Sequence, residues 1–207
     1  ILALSLNYVR KVKFKKFVQM VTYLPYFIST IVFVGILNAI FDTRVGAVGS
    51  FFYDKMGMNI LGTPQLFSSV YVWSGVWQTV GYGSIIYIAA LSSVDQELYE
   101  AASIDGASRM QKINHISIPC IMGTILILFI MRIGSLMTVG FEKVLLMQNS
   151  VTVSASEVIS TFIYKNGIQK GQFSYSTAVG MFNSVINFCL LAGANFVSKK
   201  AAKTSLW

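Results

Sequence analysis

Charged residues are scarce in this chain of 207 residues: Asp, Glu, Lys and Arg together make up 12%, about half of the ~25% usual in a soluble domain. So few charges exclude an ordinary water-facing exterior. Cysteine is nearly absent, and Cys120 and Cys189 both fall in apolar segments with no second Cys or His at ligand spacing. That excludes a zinc site or a disulfide framework, and both read as small apolar side chains. The sole histidine, His115, lacks companion ligands and reads as loop packing rather than as a metal ligand or proton carrier. No Gly-x-x-x-x-Gly-Lys-Ser/Thr segment occurs, so ATP, if used, must bind another chain. Nor is there an arrangement of nucleophile, base and orienting acid. The chain is expected to be non-catalytic, with no metal and no cofactor of its own. Acidic residues are few as well, 8 against 16 Lys and Arg, for a net charge of +8. All of them fall in loops or at span ends, whereas an ion-coupled secondary transporter usually carries carboxylates within its spans.

What is abundant is apolar: 55% of residues are hydrophobic and the mean hydropathy is +0.64. A hydrocarbon core about 30 Å thick needs about 20 helical residues, since lipid cannot satisfy an open backbone. Four stretches qualify: Phe17 to Phe41, Leu66 to Ser92, Pro119 to Val139 and Tyr175 to Val197. Ile1 to Tyr8 reads as the tail of an earlier helix, so the chain is expected to be truncated at its N-terminus. The expected fold class is all-α: a polytopic transmembrane bundle with four full spans plus the end of another, forming one domain over 1–207.

The basic residues lie between the spans rather than on one polar face, which argues against nucleic acid and for topology control and contact with anionic membrane lipid. Tyr8 to Lys16, Val94 to Ser117 and Ser198 to Trp207 hold ten Lys and Arg. The opposite side holds five: Arg44, Lys55, Lys143, Lys165 and Lys170. The positive-inside rule then places the 94–119 loop and the C-terminus in the cytoplasm. On the outer side, Arg44 to Met58 suits an interfacial helix. Val153 to Tyr164 carries an apolar stripe, Val158, Ile159, Phe162 and Ile163, that suits an amphipathic helix. A packed surface cover and part of an external gate or docking surface are both open readings for it.

The 94–119 loop is the most informative segment. Asp95 can N-cap a helix running to Ile104, with Glu97 and Glu100 near its positive end. Gly106 permits a tight left-handed turn, and a second short helix follows from Ala107 to about His115. Ala101, Ala102, Ser103 and Ala107 are small enough for close packing. The product is a stiff elbow, a shape that can carry movement from a soluble neighbour into the spans.

This segment resembles the cytoplasmic signature of permeases of binding-protein-dependent ATP-binding-cassette importers: Glu-Ala-Ala, three residues, Gly, nine residues, Ile-x-Leu-Pro. Glu100, Ala101, Ala102, Gly106, Ile116 and Pro119 match in register, with Ile118 in place of Leu. Tyr23 to Ser29 and Arg132 to Leu136 extend the likeness to carbohydrate permeases of the maltose type. The Ser205 to Trp207 ending is similar to that of the branch serving polysaccharide fragments. The resemblance implies an intact subunit of about six spans in a bacterial cytoplasmic membrane. It also implies a second permease subunit forming a heterodimer, ATPase subunits that hold ATP and magnesium, an extracellular solute-binding protein and a carbohydrate substrate. On this reading Glu100 to Gly106 enters a groove of the ATPase, and Glu100 or Asp105 pairs with a basic residue there. A permease for amino acids, peptides or an ion would share the same loop.

For the translocation path the candidates are Arg132, Trp77, Gln78, Tyr82 and Asn183. Aromatic faces stack on sugar rings and amides bond hydroxyls, but Trp and Tyr also form interfacial belts. A mid-span arginine costs at least ~2.5 kcal/mol on insertion scales, so Arg132 must face protein or water, either as a path residue or in a structural contact.

Overall fold

The computed structural model describes residues 1–9 and 11–202, all of whose regular elements are helical. Arg10, Lys203 and the Ser205 to Trp207 ending lie outside the described residues. In chain order the helices are α1 Leu2–Asn7, α2 Val12–Tyr23, α3 Thr30–Phe41, α4 Gly49–Met56, α5 Pro64–Ser92, α6 Gln96–Ile104 and α7 Arg109–Lys112. They continue as α8 Ile118–Cys120, α9 Met122–Gly134, α10 Phe141–Met147, α11 Val153–Ser156, α12 Ile159–Tyr164 and α13 Phe173–Ala202.

Two of the expected spans are not single helices. The stretch Phe17 to Phe41 breaks where Pro25, lacking an N–H, sits in a short 3-10 turn, Leu24–Phe27. Ser29 then restarts the chain as α3 by accepting a hydrogen bond from the Val32 N–H at 3.4 Å. The chain bends by 102° across this break, and the 12 residues of α3 reach only about 18 Å. The stretch from Pro119 is also interrupted: α9 is bent by 65° from the preceding helical segment, and it ends at Gly134 rather than Val139.

Length and hydropathy together select one helix among the described residues, Phe173–Lys199, and up to three spans if each bent pair counts as one. On that measure the described residues reach fewer than the expected four. Helix α5 has the length, 29 residues, but Gln65, Ser68, Ser69, Ser74, Gln78, Thr79 and Ser84 dilute its apolar character. The outer helices are shorter than expected. In place of Arg44 to Met58 stands α4, closed by Gly57 at φ 63°. The expected helix Val153 to Tyr164 is split, because extended Val158 caps α12 through its N–H to Thr161 Oγ1 at 3.1 Å.

The chain forms two compact units. The first comprises residues 1–26, 77–133 and the chain from 190 onward. Its core joins Ala3, Leu91, Val94 and Ile121, with Tyr87, Tyr99 and Ile116 packed around them. The second comprises residues 27–76 and 134–189, and its core is Phe33, Val34, Leu37, Phe67, Val144 and Met147. Along α13 the large apolar side chains Met181, Phe182, Val185, Phe188 and Phe196 all face outward, the surface a lipid-covered helix presents.

Candidate functional site: the 94–119 elbow

The elbow lies within the first unit and is built by local rules. Asp95 caps α6 as expected, its Oδ1 accepting from the Glu97 N–H at 3.0 Å. At the other end Gly106 takes φ 74°. Its N–H donates to the Ser103 carbonyl at 3.2 Å, and the Ala107 N–H donates to the Ala102 carbonyl at 2.9 Å. This paired closure satisfies the last carbonyls of α6 and fixes the direction in which the chain leaves.

The second helix begins later than expected, at Arg109, because Ser108 forms a reciprocal capping box: its N–H donates to Gln111 Oε1 at 2.7 Å, and its Oγ accepts from the Gln111 N–H at 3.4 Å. After Lys112 the coil widens into a π-turn over Ile113–Ser117. Such single turns insert a residue and redirect side chains, frequently at functional sites. Here the turn delivers Ile116 to the core and Ser117 to a hydroxyl cluster. Ser117 is 0% exposed, and its Oγ lies 2.9 Å from Tyr99 Oη and 3.4 Å from Tyr8 Oη. One serine thus ties α6, the end of α1 and the approach to α9.

Of the residues matched to the signature, Glu100, Ala101, Gly106 and Pro119 are exposed, as is Asp105 beside them. Ala102 and Ile116 are half-buried and line, with Ala107, Gln111, Lys112 and His115, a hollow of about 180 Å³ inside the elbow. His115 is turned back, its Nδ1 lying 3.0 Å from the Gln111 carbonyl. Sequence reasoning passed over Ile104, 88% exposed beside the turn, and did not weigh the exposure of Met110, 65%. An apolar side chain next to the signature glycine was the available signal.

The path candidates divide between the two units. In the first, the Tyr82 ring stacks on Tyr26 at 3.8 Å and 3° between planes, while Trp77 and Arg132 are exposed and Gln78 is half-buried. In the second, Asn183 holds a buried Oδ1 with no hydrogen-bond partner.

Sequence reasoning counted Lys143 as a surface cation, yet it is 8% exposed. Its ammonium lies 4.9 Å from the centroid of Phe33 and 5.0 Å from that of Tyr71, and it donates to the Tyr71 carbonyl at 3.3 Å. Aromatic faces partly replace water around the charge, but burial still lowers its pKa to about 8. No sequence rule marks it, because the groups that bury it come from α3 and α5.

Known proteins match this chain over nearly its whole length. The family described as the binding-protein-dependent transport system inner membrane component matches residues 1–203. Protein LplB of Bacillus subtilis (strain 168) is 41% identical over 209 residues, covering 100% of this chain and 66% of the relative. The polygalacturonan/rhamnogalacturonan transport system permease protein YteP of the same organism is 37% identical, covering 100% and 65%. The chain thus spans about two thirds of the length of these curated relatives. A crystallised bacterial alginate ABC transporter, in complex with an alginate pentasaccharide-bound periplasmic protein, contains a chain that superposes with a TM-score of 0.94. That chain is 36% identical, and the match covers 99% of this chain and 72% of that one. With the match extending over 1–203 and the relatives aligned from end to end of it, the chain belongs to the binding-protein-dependent transport system inner membrane component family.

Proposed function

We propose that the chain is the permease subunit of an ATP-driven importer that carries oligosaccharide fragments of polysaccharides across a bacterial cytoplasmic membrane. The observation that carries the reading is the exposed elbow with its signature residues in register, in a chain 36% identical to one from an alginate transporter. The relatives' names speak of polygalacturonan, rhamnogalacturonan and arabinooligosaccharides, which supports a carbohydrate over an amino acid or an ion.

In this reading the bent pairs each count as one span, and with α5 and α13 they make the four spans of this piece. The elbow and C-terminus face the cytoplasm. Segment Glu100 to Gly106 is the coupling helix and turn: it enters a groove on a separate ATPase, which holds the ATP and magnesium. Glu100 and Asp105 are available there to a basic residue, while Ile116 and Pro119 connect the elbow to α9. A second permease subunit and an external binding protein complete the assembly, and Arg132, Trp77, Gln78, Tyr82 and Asn183 are the path residues to be tested.

The experiment is uptake of a labelled oligogalacturonide or alginate fragment by the reconstituted transporter. Uptake should require ATP and the binding protein, and it should survive a proton ionophore. Gly106→Pro cannot adopt φ 74°, and Glu100→Lys inverts the charge; each should abolish uptake and the stimulation of ATPase activity while the complex still assembles. Normal uptake in both variants would overturn the assignment of the elbow.

A further inference from the structure

Lys143, in the second unit, makes no ion pair among the described residues, although only 8% of its surface is exposed. A charge taken out of water needs partners that replace it. One hydrogen bond does so, to the Tyr71 carbonyl at 3.3 Å. The other two N–H donors of the ammonium have no acceptor but the ring faces of Phe33 and Tyr71, whose centroids lie 4.9 and 5.0 Å away. A ring face holds a cation more weakly than a carboxylate does, since it offers a quadrupole in place of a full charge and lone pairs. The rings therefore shelter the charge without using it up. Backbone alone stands at two flanks of this group: a Cβ added at Gly75 would lie 3.5 Å from the ammonium, and one added at Gly140 would lie 3.1 Å from the Tyr71 hydroxyl oxygen.

The same unit holds acceptors that lack donors. The Oδ1 atoms of Asn183 and Asn187 are buried and without a hydrogen-bond partner, and an orphan of that kind calls for a bound group. The two amides stand one turn apart on α13, about 6 Å along the axis. They lie on the side opposite Val185 and Phe188, which face outward. Residues 138–143 tie them to the ammonium. Asn187 Nδ2 donates to Thr138 Oγ1 at 3.4 Å, Gly140 lies against the Tyr71 hydroxyl, and Lys143 reaches the Tyr71 carbonyl. One short stretch of chain thus has amide oxygens in want of donors at one end and an ammonium in want of an anion at the other. A sugar hydroxyl donates to an amide oxygen, and a carboxylate accepts from an ammonium. A uronate unit carries both groups on one ring, whereas a neutral hexose carries only the first.

We propose that Lys143 is a specificity-determining residue of the transport path: it binds the carboxylate of a uronate unit while Asn183 and Asn187 accept the hydroxyls of that sugar or its neighbour. The substrate class is then an acidic oligosaccharide. In this conformation the ammonium is shut between Phe33 and Tyr71, and an arriving carboxylate draws it off the rings because the ion pair is the stronger contact. The inference rests on the carbohydrate-transport reading above and narrows it.

The assembled transporter, purified in detergent without the external binding protein, is to be titrated with trigalacturonate and with its methyl ester, binding being read by saturation-transfer NMR. The ester keeps every hydroxyl and loses only the charge. The parent should prefer the acid roughly tenfold to hundredfold. Lys143→Met should bring that ratio to about one, and Lys143→Arg should retain a preference for the acid. Asn187→Leu should weaken both sugars together and leave the ratio in place. Equal affinity of the parent for acid and ester, a preference that survives Lys143→Met, or undiminished binding of both sugars in Asn187→Leu would overturn the proposal. If Lys143→Met fails to assemble, the ratio in the parent and in Lys143→Arg decides. A parent that binds acid and ester equally, and imports both under ATP once the binding protein is added, defeats this inference and leaves the transport reading standing. Binding of the acid through Lys143 with no ATP-driven uptake of either sugar defeats the transport reading and leaves the anion site standing.

Discussion

Lys143 shows how a single side chain can be at odds with its sequence context. It stands among residues expected to form an outer loop, yet Phe33 and Tyr71 enclose its ammonium and hold its pKa near 8 against an ordinary 10.5. Below pH 8 the amine is charged in both the folded and the unfolded chain, so the fold bears the full desolvation penalty. Between 8 and 10.5 only the unfolded chain keeps the proton, and stability rises with pH. Lys143→Met retains the packing without the charge. In detergent-solubilised protein it should melt higher than the parent at pH 7, and the difference should shrink as pH rises from 8 to 10.5. A difference that stays constant across this range would show that the ammonium is not desolvated as described. Sequence alone classed Lys143 with the exposed cations because its burial depends on a carbonyl 72 residues away. The turn at Gly106, by contrast, was legible, since every group that closes it lies within five residues.

At the level of helices the same division holds between what neighbours decide and what distant contacts decide. Pro25 is visible in the sequence, but a proline within an apolar stretch is compatible with a kinked span as well as with a break. What holds the break open comes from α5: Tyr82 stacks on Tyr26, and Gly81 lets the backbone at Thr22 approach so closely that an added Cβ would collide with its carbonyl. Gly81→Ala should therefore destabilise the protein by about 1–3 kcal/mol, whereas Gly83→Ala, two residues on, meets open space and gains helix propensity. Thermal unfolding of the two variants should move in opposite directions. The hydroxyl cluster is a second long-range tie. Tyr99→Phe and Ser117→Ala should each cost about 1 kcal/mol, and the double variant should cost less than the sum because both remove the same bond. If that bond stiffens the elbow, both single variants should also raise basal ATPase activity relative to the binding-protein-stimulated rate. An unchanged ratio in both would confine the cluster to packing.

For the assembled transporter the decisive question is which side of the membrane the elbow occupies. The excess of Lys and Arg on its side of the spans is the ground for placing it in the cytoplasm, and that placement has a direct test. In a background with Cys120 and Cys189 replaced by serine, both thiols being exposed, Ile104→Cys should react with a membrane-impermeant maleimide in inverted vesicles and not in intact cells. It should lose that reactivity when the ATPase subunits are bound. Labelling in intact cells would reverse the topology and remove the elbow from contact with the ATPase.

Ile104 and Met110 also bear on how such a subunit is made. They hold bare hydrocarbon out at the tip of a rigid turn, away from either core, with 88% and 65% of their surfaces uncovered. Under the proposed coupling role, a newly inserted copy displays a sticky spot to the surrounding water, and to any protease or chaperone that surveys for one, until the ATPase seats over that tip. Stoichiometric manufacture of the ATPase would then be a condition for the subunit's survival as well as for its work.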